Sequence, residues 1–225
     1  FKSTIGRVRL NAAVYQQDWN SFQFSYLGAN SFTEIHNGPN ARIRGAEMDV
    51  SYNANGLSLT GSAAYTDAKI SQNLCAIDDL TYACTGAGNF ISAAAGTRLP
   101  VTPRFKASGV ARYSFDTGAN MRSYAQAVIA YQSSAASDLR TAVVEAGTGN
   151  IINPAALQGR LAGFFNANAA IGTEWNNWSF DIFVNNIFDE RGELSRYQQC
   201  GSCGQRPYIV PNQPRTIGLR AGVKF

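Results

Sequence analysis

In Pro103-Arg104-Phe105-Lys106-Ala107-Ser108-Gly109-Val110-Ala111-Arg112-Tyr113-Ser114-Phe115-Asp116, side-chain character changes at almost every residue. Phe105, Ala107, Gly109, Ala111, Tyr113 and Phe115 fall on one face. Arg104, Lys106, Ser108, Arg112, Ser114 and Asp116 fall on the other, with Val110 as the exception. A strand turns successive side chains to opposite sides, whereas a helix returns to one face every third or fourth residue, so this run reads as strand. It is long beside the about 5–6 residues of an ordinary soluble-protein strand.

The same period recurs in both directions along the chain. Leu57, Leu59, Ala63 and Tyr65 alternate with Ser58, Thr60, Ser62 and Thr66. Leu161, Gly163, Phe165, Ala167, Ala169 and Ile171 alternate with polar residues, as do Trp178, Phe180, Ile182 and Val184, and then Ile217, Leu219, Ala221, Val223 and Phe225. Weaker versions run over 7–26, 32–52 and 121–131. The spacing predicts about eight strands, preceded by a strand end at residues 1–3. Residues 53–56, 116–119 and 175–177 are tight turns rich in Asn, Asp and Gly. Between them lie long segments, 71–102, 134–158 and 189–213. Short and long connections in alternation predict an antiparallel up-and-down meander with one plain rim and one elaborate rim.

Composition narrows the class. Hydrophobic residues make up 45% of the 225-residue chain, too many for a disordered tail. Charged residues are only 15%, against about 25% in a soluble domain. Mean hydropathy is −0.18 and no apolar run is long enough for a transmembrane helix. Low charge without a long apolar run fits apolar residues placed at every second position. The chain opens without an apolar leader, so an exported protein would be present as a mature chain or a piece of one. Nucleic acid is excluded as a partner: the formal charge is +4, but Lys and Arg are scattered singly.

These features predict an all-β transmembrane barrel. In a bilayer every backbone N–H and C=O must pair inside the protein, so strands cross only as part of a closed barrel. The outer face must be apolar, while the inner face accepts charge. Arg104, Lys106, Arg112, Arg220, Glu47 and Asp49 fall on the polar register. Asp67 breaks it, near the long-loop end of its strand. Aromatic residues gather toward strand ends, with Tyr65, Phe105, Tyr131 and Phe188 near the long loops and Phe115, Trp178 and Phe225 near the short turns. Two such girdles mark two membrane interfaces. The inward cations are expected to pair with Glu47, Asp49, Glu174, Asp181 and an acidic plug surface, since buried charges are usually paired.

Four cysteines form two local pairs, Cys75/Cys84 and Cys200/Cys203, in stretches rich in Gly, Ser and Asn. The spacing favours two loop disulfides over a four-thiolate zinc site, whose knuckles are usually both short. Four cysteines allow three connectivities, of which the two local bridges are preferred. His36 is the only histidine and reads as a loop residue, so neither a metal cluster nor a Ser–His–Asp triad can be built. The adjacent carboxylates Asp78 and Asp79 lack the further oxygen donors of a calcium loop. Asp189-Glu190-Arg191 is expected to close its strand's rim through local ion pairs. No catalytic residue, metal ligand or cofactor is assigned, and an enzyme is not expected.

Asn185-Asn186-Ile187-Phe188-Asp189-Glu190-Arg191 resembles the N-[LI]-F-D stretch of the penultimate strand of TonB-dependent outer-membrane receptors. Pro214-Arg215-Thr216-Ile217-Gly218-Leu219-Arg220-Ala221-Gly222-Val223-Lys224-Phe225 resembles their closing PRTxGLR strand, and Arg44-Gly45-Ala46-Glu47-Met48-Asp49-Val50-Ser51-Tyr52 their GxE strand. The resemblance implies a barrel of about 22 strands around a globular plug, located in the cell outer membrane. It implies uptake of a scarce ligand such as a ferric siderophore, cobalamin or a glycan, driven through TonB. Residues 1–225 then form the C-terminal part of the barrel, without plug or TonB box. Implied partners are outer-membrane lipid and lipopolysaccharide, the TonB complex through the plug, the outer-membrane assembly machinery and the remainder of the same barrel. Phe225, with Val223 and Ala221 before it, resembles the signal read by that machinery. The alternative is a self-contained eight-stranded barrel with a structural or adhesion role. The residues that bind the transported ligand are not identified by this sequence.

Overall fold

Most of the segments with period two form strands. The computed structural model describes residues 1–27, 32–145, 148–197 and 207–225. Nine strands build one antiparallel sheet in chain order: β1 Lys2–Ile5, β2 Val8–Trp19, β3 Ala41–Ala54, β4 Leu57–Ile70, β5 Phe105–Gly118, β6 Met121–Gln132, β7 Phe164–Trp175, β8 Trp178–Asn185 and β9 Thr216–Val223. β1 matches the strand end expected at the start of the chain, and β2 to β9 are the eight expected strands. Each strand pairs with its predecessor, so the sheet is a pure meander. Among the described residues β1 and β9 each have one neighbour in the sheet and do not pair with each other. The closed eight-stranded barrel is therefore not formed.

The turns at one rim follow the sequence closely. Asn55 and Gly56 both take positive φ, 48° and 82°, in the hairpin geometry that matches strand twist. A side chain on Gly56 would strike the Ser114 carbonyl of the neighbouring strand. Asn120 and Asn176 repeat the left-handed conformation in the next two hairpins, at φ 57° and 52°. Asn accepts this better than other non-glycine residues because its short side chain bonds locally.

The opposite rim departs from the reading of long continuous strands over 7–26 and 32–52. Ser21 turns left-handed after Trp19, and Gln23–Leu27 pairs with Thr33–Asn37 as a separate ribbon. Further ribbons rise from the other connections: Leu74–Cys75 with Ile91–Ala93, Ala135–Ala136 with Arg160–Leu161, Val143–Val144 with Ile151–Ile152, and Glu193–Tyr197 with Tyr208–Pro211. One helical turn, α1 Pro154–Gln158, is capped by the Asn153 side chain.

Register fixes the faces. Ile171 lies opposite Ile182, and Ile182 opposite Leu219. This row of apolar side chains is bare, at 58%, 52% and 79% exposure. Below it, toward the tight turns, Trp175 faces Trp178, and Trp178 stacks on Phe180 at 6.2 Å. Above it, Tyr131 faces Phe165, Phe165 packs 6.2 Å from Phe188, and Phe105 packs 6.2 Å from Tyr131. The two aromatic rows thus bracket an apolar band on one face of the sheet. Among the described residues no helix is long and apolar enough to cross a membrane.

Candidate functional site

The elaborate rim is where the chain concentrates its chemistry. On the polar-register face above the band, Ala41, Ile43, Ala68 and Ile70 are buried with Leu74, Ala93, Leu99 and Leu139 under the long connections. Tyr15, Phe22 and Phe24 pack against this cluster. Tyr15 lies over Gly45, where any Cβ would collide with the ring, and its hydroxyl meets Thr66 Oγ1 at 3.1 Å. Burial of these small and branched residues anchors the loops to the strands beneath.

The connections are tied to one another as well. The Ser92 hydroxyl donates to the Ala142 carbonyl at 2.7 Å, and the Thr141 hydroxyl to the Ser92 carbonyl at 3.1 Å. Arg196 donates to the Gln158 carbonyl at 2.9 Å and pairs with Glu193 at 2.7 Å. That guanidinium holds the Glu193 carboxyl below its usual pKa. Asp138, Arg140 and Gln158 form a largely buried polar group within the β6–β7 connection. Through these contacts the described parts of the β4–β5, β6–β7 and β8–β9 connections are joined at one rim.

Cys75 and Cys84 are joined as a disulfide, the local pairing expected. Cys200 and Cys203 lie outside the described residues. Inside the Cys75–Cys84 loop, Asp79 accepts from the Thr81 hydroxyl and backbone N–H and from the Cys84 N–H. These bonds, the hydroxyl's first, lower its pKa. Asp79 is thus a turn-forming group. Asp78 instead lies 3.7 Å from His36 Nδ1, whose Nε2 sits 3.2 Å from Glu34. His36, expected in a loop, lies instead in the Thr33–Asn37 strand and bridges that ribbon to the disulfide loop. Among the described residues no group of three or more His, Cys, Asp or Glu residues is placed to hold a metal.

The polar-register face lower down corrects one expectation. Among the described residues no ion pair joins the cations of this face to Glu47, Asp49, Glu174 or Asp181. Arg112 lies 3.6 Å over the Tyr124 ring and donates to Gln126 at 3.2 Å, and Arg220 lies 5.7 Å from the Phe183 centroid. Asp181 accepts from the Tyr124 hydroxyl at 2.6 Å. Aromatic faces attract guanidinium through their quadrupole, so these charges are held by rings beside them. Arg104 is also displaced from its expected place: it sits in the bend before β5 and reaches Asp67 at 3.6 Å.

The Asn185–Arg191 motif has a structural task. Asn186, buried and left-handed at φ 52°, donates to the carbonyls of Glu190 and Gln213, both at 2.9 Å, and accepts from the Glu190 N–H. It pins the two ends of the β8–β9 connection together. Arg191 pairs with Asp189 at 3.1 Å as expected, and Asp189 also accepts from the Arg215 backbone N–H, the largest cause of its lowered pKa. Val223 lies opposite Trp178 and Ala221 opposite Phe180, and the Phe225 side chain is fully exposed.

The family described as TonB dependent receptor-like, beta-barrel, matches residues 1–187 by its sequence model. No curated protein matches the chain. Among solved structures, the ferric yersiniabactin uptake receptor FyuA from Yersinia pestis aligns with a TM-score of 0.69 at 17% identity, over 100% of this chain and 28% of that one. The ferric citrate transporter FecA gives 0.63 at 20% identity, over 100% and 30%. The copper transporter OprC gives 0.60 at 19% identity, over 100% and 30%. The chain thus spans less than a third of each of these proteins, and at such identities the likeness is one of fold.

Proposed function

The chain belongs to the TonB-dependent receptor β-barrel family, and we propose that it is the C-terminal part of the barrel wall of an outer-membrane receptor importing a scarce ligand. The ligands named for the structural neighbours are chelated iron and copper, and a metal chelate leads for this receptor over cobalamin or a glycan. The carrying observation is the bare apolar row Ile171–Ile182–Leu219 between two aromatic rows, within a chain that matches the family over residues 1–187. Only hydrocarbon accepts such a row without cost. The opposite face would meet a plug, and the connected loops would form part of the ligand's mouth. Energy would come through TonB acting on the plug.

The test is uptake by cells carrying the full-length receptor, with radiolabelled ferric citrate, a ferric catecholate, copper, cobalamin and a maltodextrin as probes. Accumulation of one probe that is lost on deleting either the receptor or TonB is the expected result. Equal accumulation of every probe in both deletions overturns the transport reading.

Phe225, with Val223 and Ala221, is proposed as the assembly signal. Phe225→Ser in the full-length receptor should lower the amount of heat-modifiable barrel in the outer membrane, and an unchanged amount refutes the role.

A further inference from the structure

On the polar-register face, strands β5 to β9 bring their side chains into two adjoining rows. Arg112, Gln126, Ala170, Phe183 and Gly218 lie opposite one another in the upper row, and Ser114, Tyr124, Gly172, Asp181 and Arg220 in the lower. Directly opposite residues of an antiparallel pair share a face. The Tyr124 ring covers Gly172, where any Cβ would strike the ring and the Asp181 carboxylate. The Phe183 ring covers Gly218 in the same way. Arg112 in turn lies 3.6 Å over the Tyr124 ring. Three of the longest side chains in this sector are thus laid along the sheet.

Charge in these rows is one-sided. Arg112 donates to the neutral Gln126 at 3.2 Å, and Arg220 lies 5.7 Å from the Phe183 centroid. The one carboxylate, Asp181, accepts from the Tyr124 hydroxyl at 2.6 Å. A ring attracts a guanidinium through its quadrupole and leaves the net charge in place, whereas a carboxylate partner would cancel it. The patch has borders. The row nearest the short turns holds Asp116 and Glu174 beside Arg122. On β3 the same face presents Glu47 and Asp49, opposite Ala64 and Ser62. Positive charge is therefore confined to the middle of β5–β9, with acid below it and to one side.

Size and relief select the occupant. Arg112 leans across β6 onto a ring that itself lies over β7. Its guanidinium and Arg220 then stand about two strand spacings apart, roughly 10 Å, too far for one simple inorganic anion to meet both. Side chains that interdigitate with a neighbour resist sliding, because close packing leaves no room to move. Rings laid on glycines offer no such interlock. We propose that the inner wall over β5–β9 is the side along which the receptor passes its ligand, and that Arg112 and Arg220 hold an anionic ligand of chelate size on the way. Glu47 and Asp49 repel the same ligand from β3. The inference rests on the transport reading and adds the side of the wall and the sign of the ligand's charge.

The test is thiol labelling of the full-length receptor in cells with TonB, after Ala170→Cys on β7 or Ser62→Cys on β4, with rates taken over those of the parent receptor. The probes are two methanethiosulfonates of similar size, one carrying a sulfonate and the other a trimethylammonium group. Relative to a free thiol in solution, the sulfonate should react about tenfold faster than the ammonium reagent at Ala170→Cys. Arg112→Gln/Arg220→Gln should bring that ratio near one, and Arg112→Lys/Arg220→Lys should keep it. Labelled Ala170→Cys should also slow accumulation of whichever radiolabelled uptake probe the receptor imports, while labelled Ser62→Cys should not. A ratio near one with both arginines present overturns the proposal, as does a ratio that survives their loss or equal slowing from the two positions. Absence of labelling at Ala170→Cys overturns it too, in favour of a wall packed permanently against the plug. Heat-modifiable mobility checks folding, and if the double glutamine variant fails that check, Arg220→Gln alone must lower the ratio. A receptor that imports a probe but shows no preference for charge sinks this inference alone. One that imports none of the probes sinks the transport reading with it.

Discussion

Strands β3 and β4 each cross two regions, of which only the upper buries a face, that of Ala41, Ile43, Ala68 and Ile70. In the lower region Met48, Val50 and Leu59 are exposed on one face. In the upper region that same face carries Arg42, Arg44, Asp67 and Lys69, while Ala41 and Ile70 behind them are each only 1% exposed. Pairing is unbroken between the two regions. Only the surroundings change, from hydrocarbon outside and a polar lumen inside to water outside and packed loops inside. Side-chain polarity follows the medium, and the row of Tyr65 and Phe105 marks where the media exchange.

The largest effect should come from charge placed in the lower region. Leu219→Arg is expected to cost the assembled barrel about 2–4 kcal/mol, read by urea unfolding of the receptor in vesicles. Arg44→Leu, on the same face but in the upper region, should change stability little. Equal losses for both would erase the distinction between the two regions.

Removal of the Cys75–Cys84 bridge with Cys75→Ser comes next. Closing so short a loop contributes about 2–3 kcal/mol by chain entropy. The loss should appear as faster proteolysis of residues 75–84, with unchanged hydrogen exchange in β4 and β5. Faster exchange across the strands as well would mean that the mouth and the membrane band share one unfolding unit.

Asn186→Ala should cost about 1–3 kcal/mol by leaving buried backbone groups unpaired. Its mark is exchange at Glu190, with the Ile182–Leu219 pairing unaffected.

The smallest effect is a pH response confined to the disulfide loop. The folded-state pKa of Asp79 is lowered, so its contribution is complete above the ordinary carboxylate range and is lost as pH falls through the lowered value. Proteolysis of the loop should rise on acidification, and Asp79→Asn should flatten that rise. A response of the same size in the variant would assign it elsewhere.

Much of this was legible in the residues. Alternation through Phe105–Phe115 needs only the two-sided geometry of a strand, and Asn55-Gly56 needs only the left-handed turn. Arg42 and Arg44 were not placed, and Arg104 was assigned to the inner face. The cause is physical: faces were assigned by polarity, which is valid only while the medium on each side stays constant. Counting parity outward from Val50, Met48 and Ala46 would have put Arg44 and Arg42 on the outer face. The isolated misfit of Asp67 was the visible trace of that reversal. The resting place of Arg112 on Tyr124 was harder to foresee, because it depends on a register between strands that no single segment encodes.

The two kinds of connection also bear on how the chain acquires its shape. β1–β2, β3–β4, β5–β6 and β7–β8 are joined by the turns at 6–7, 55–56, 119–120 and 176–177, whereas the intervening connections run over 20–40, 71–104, 133–163 and 186–215. Closing a connection about tenfold longer costs about 2 kcal/mol more in chain entropy. The chain should therefore assemble as four preformed hairpins, zipped quickly and docked slowly, with β9 arriving alone. Pulse-labelling during assembly would show protection within each hairpin before protection between hairpins, and the reverse order would rule this sequence of events out.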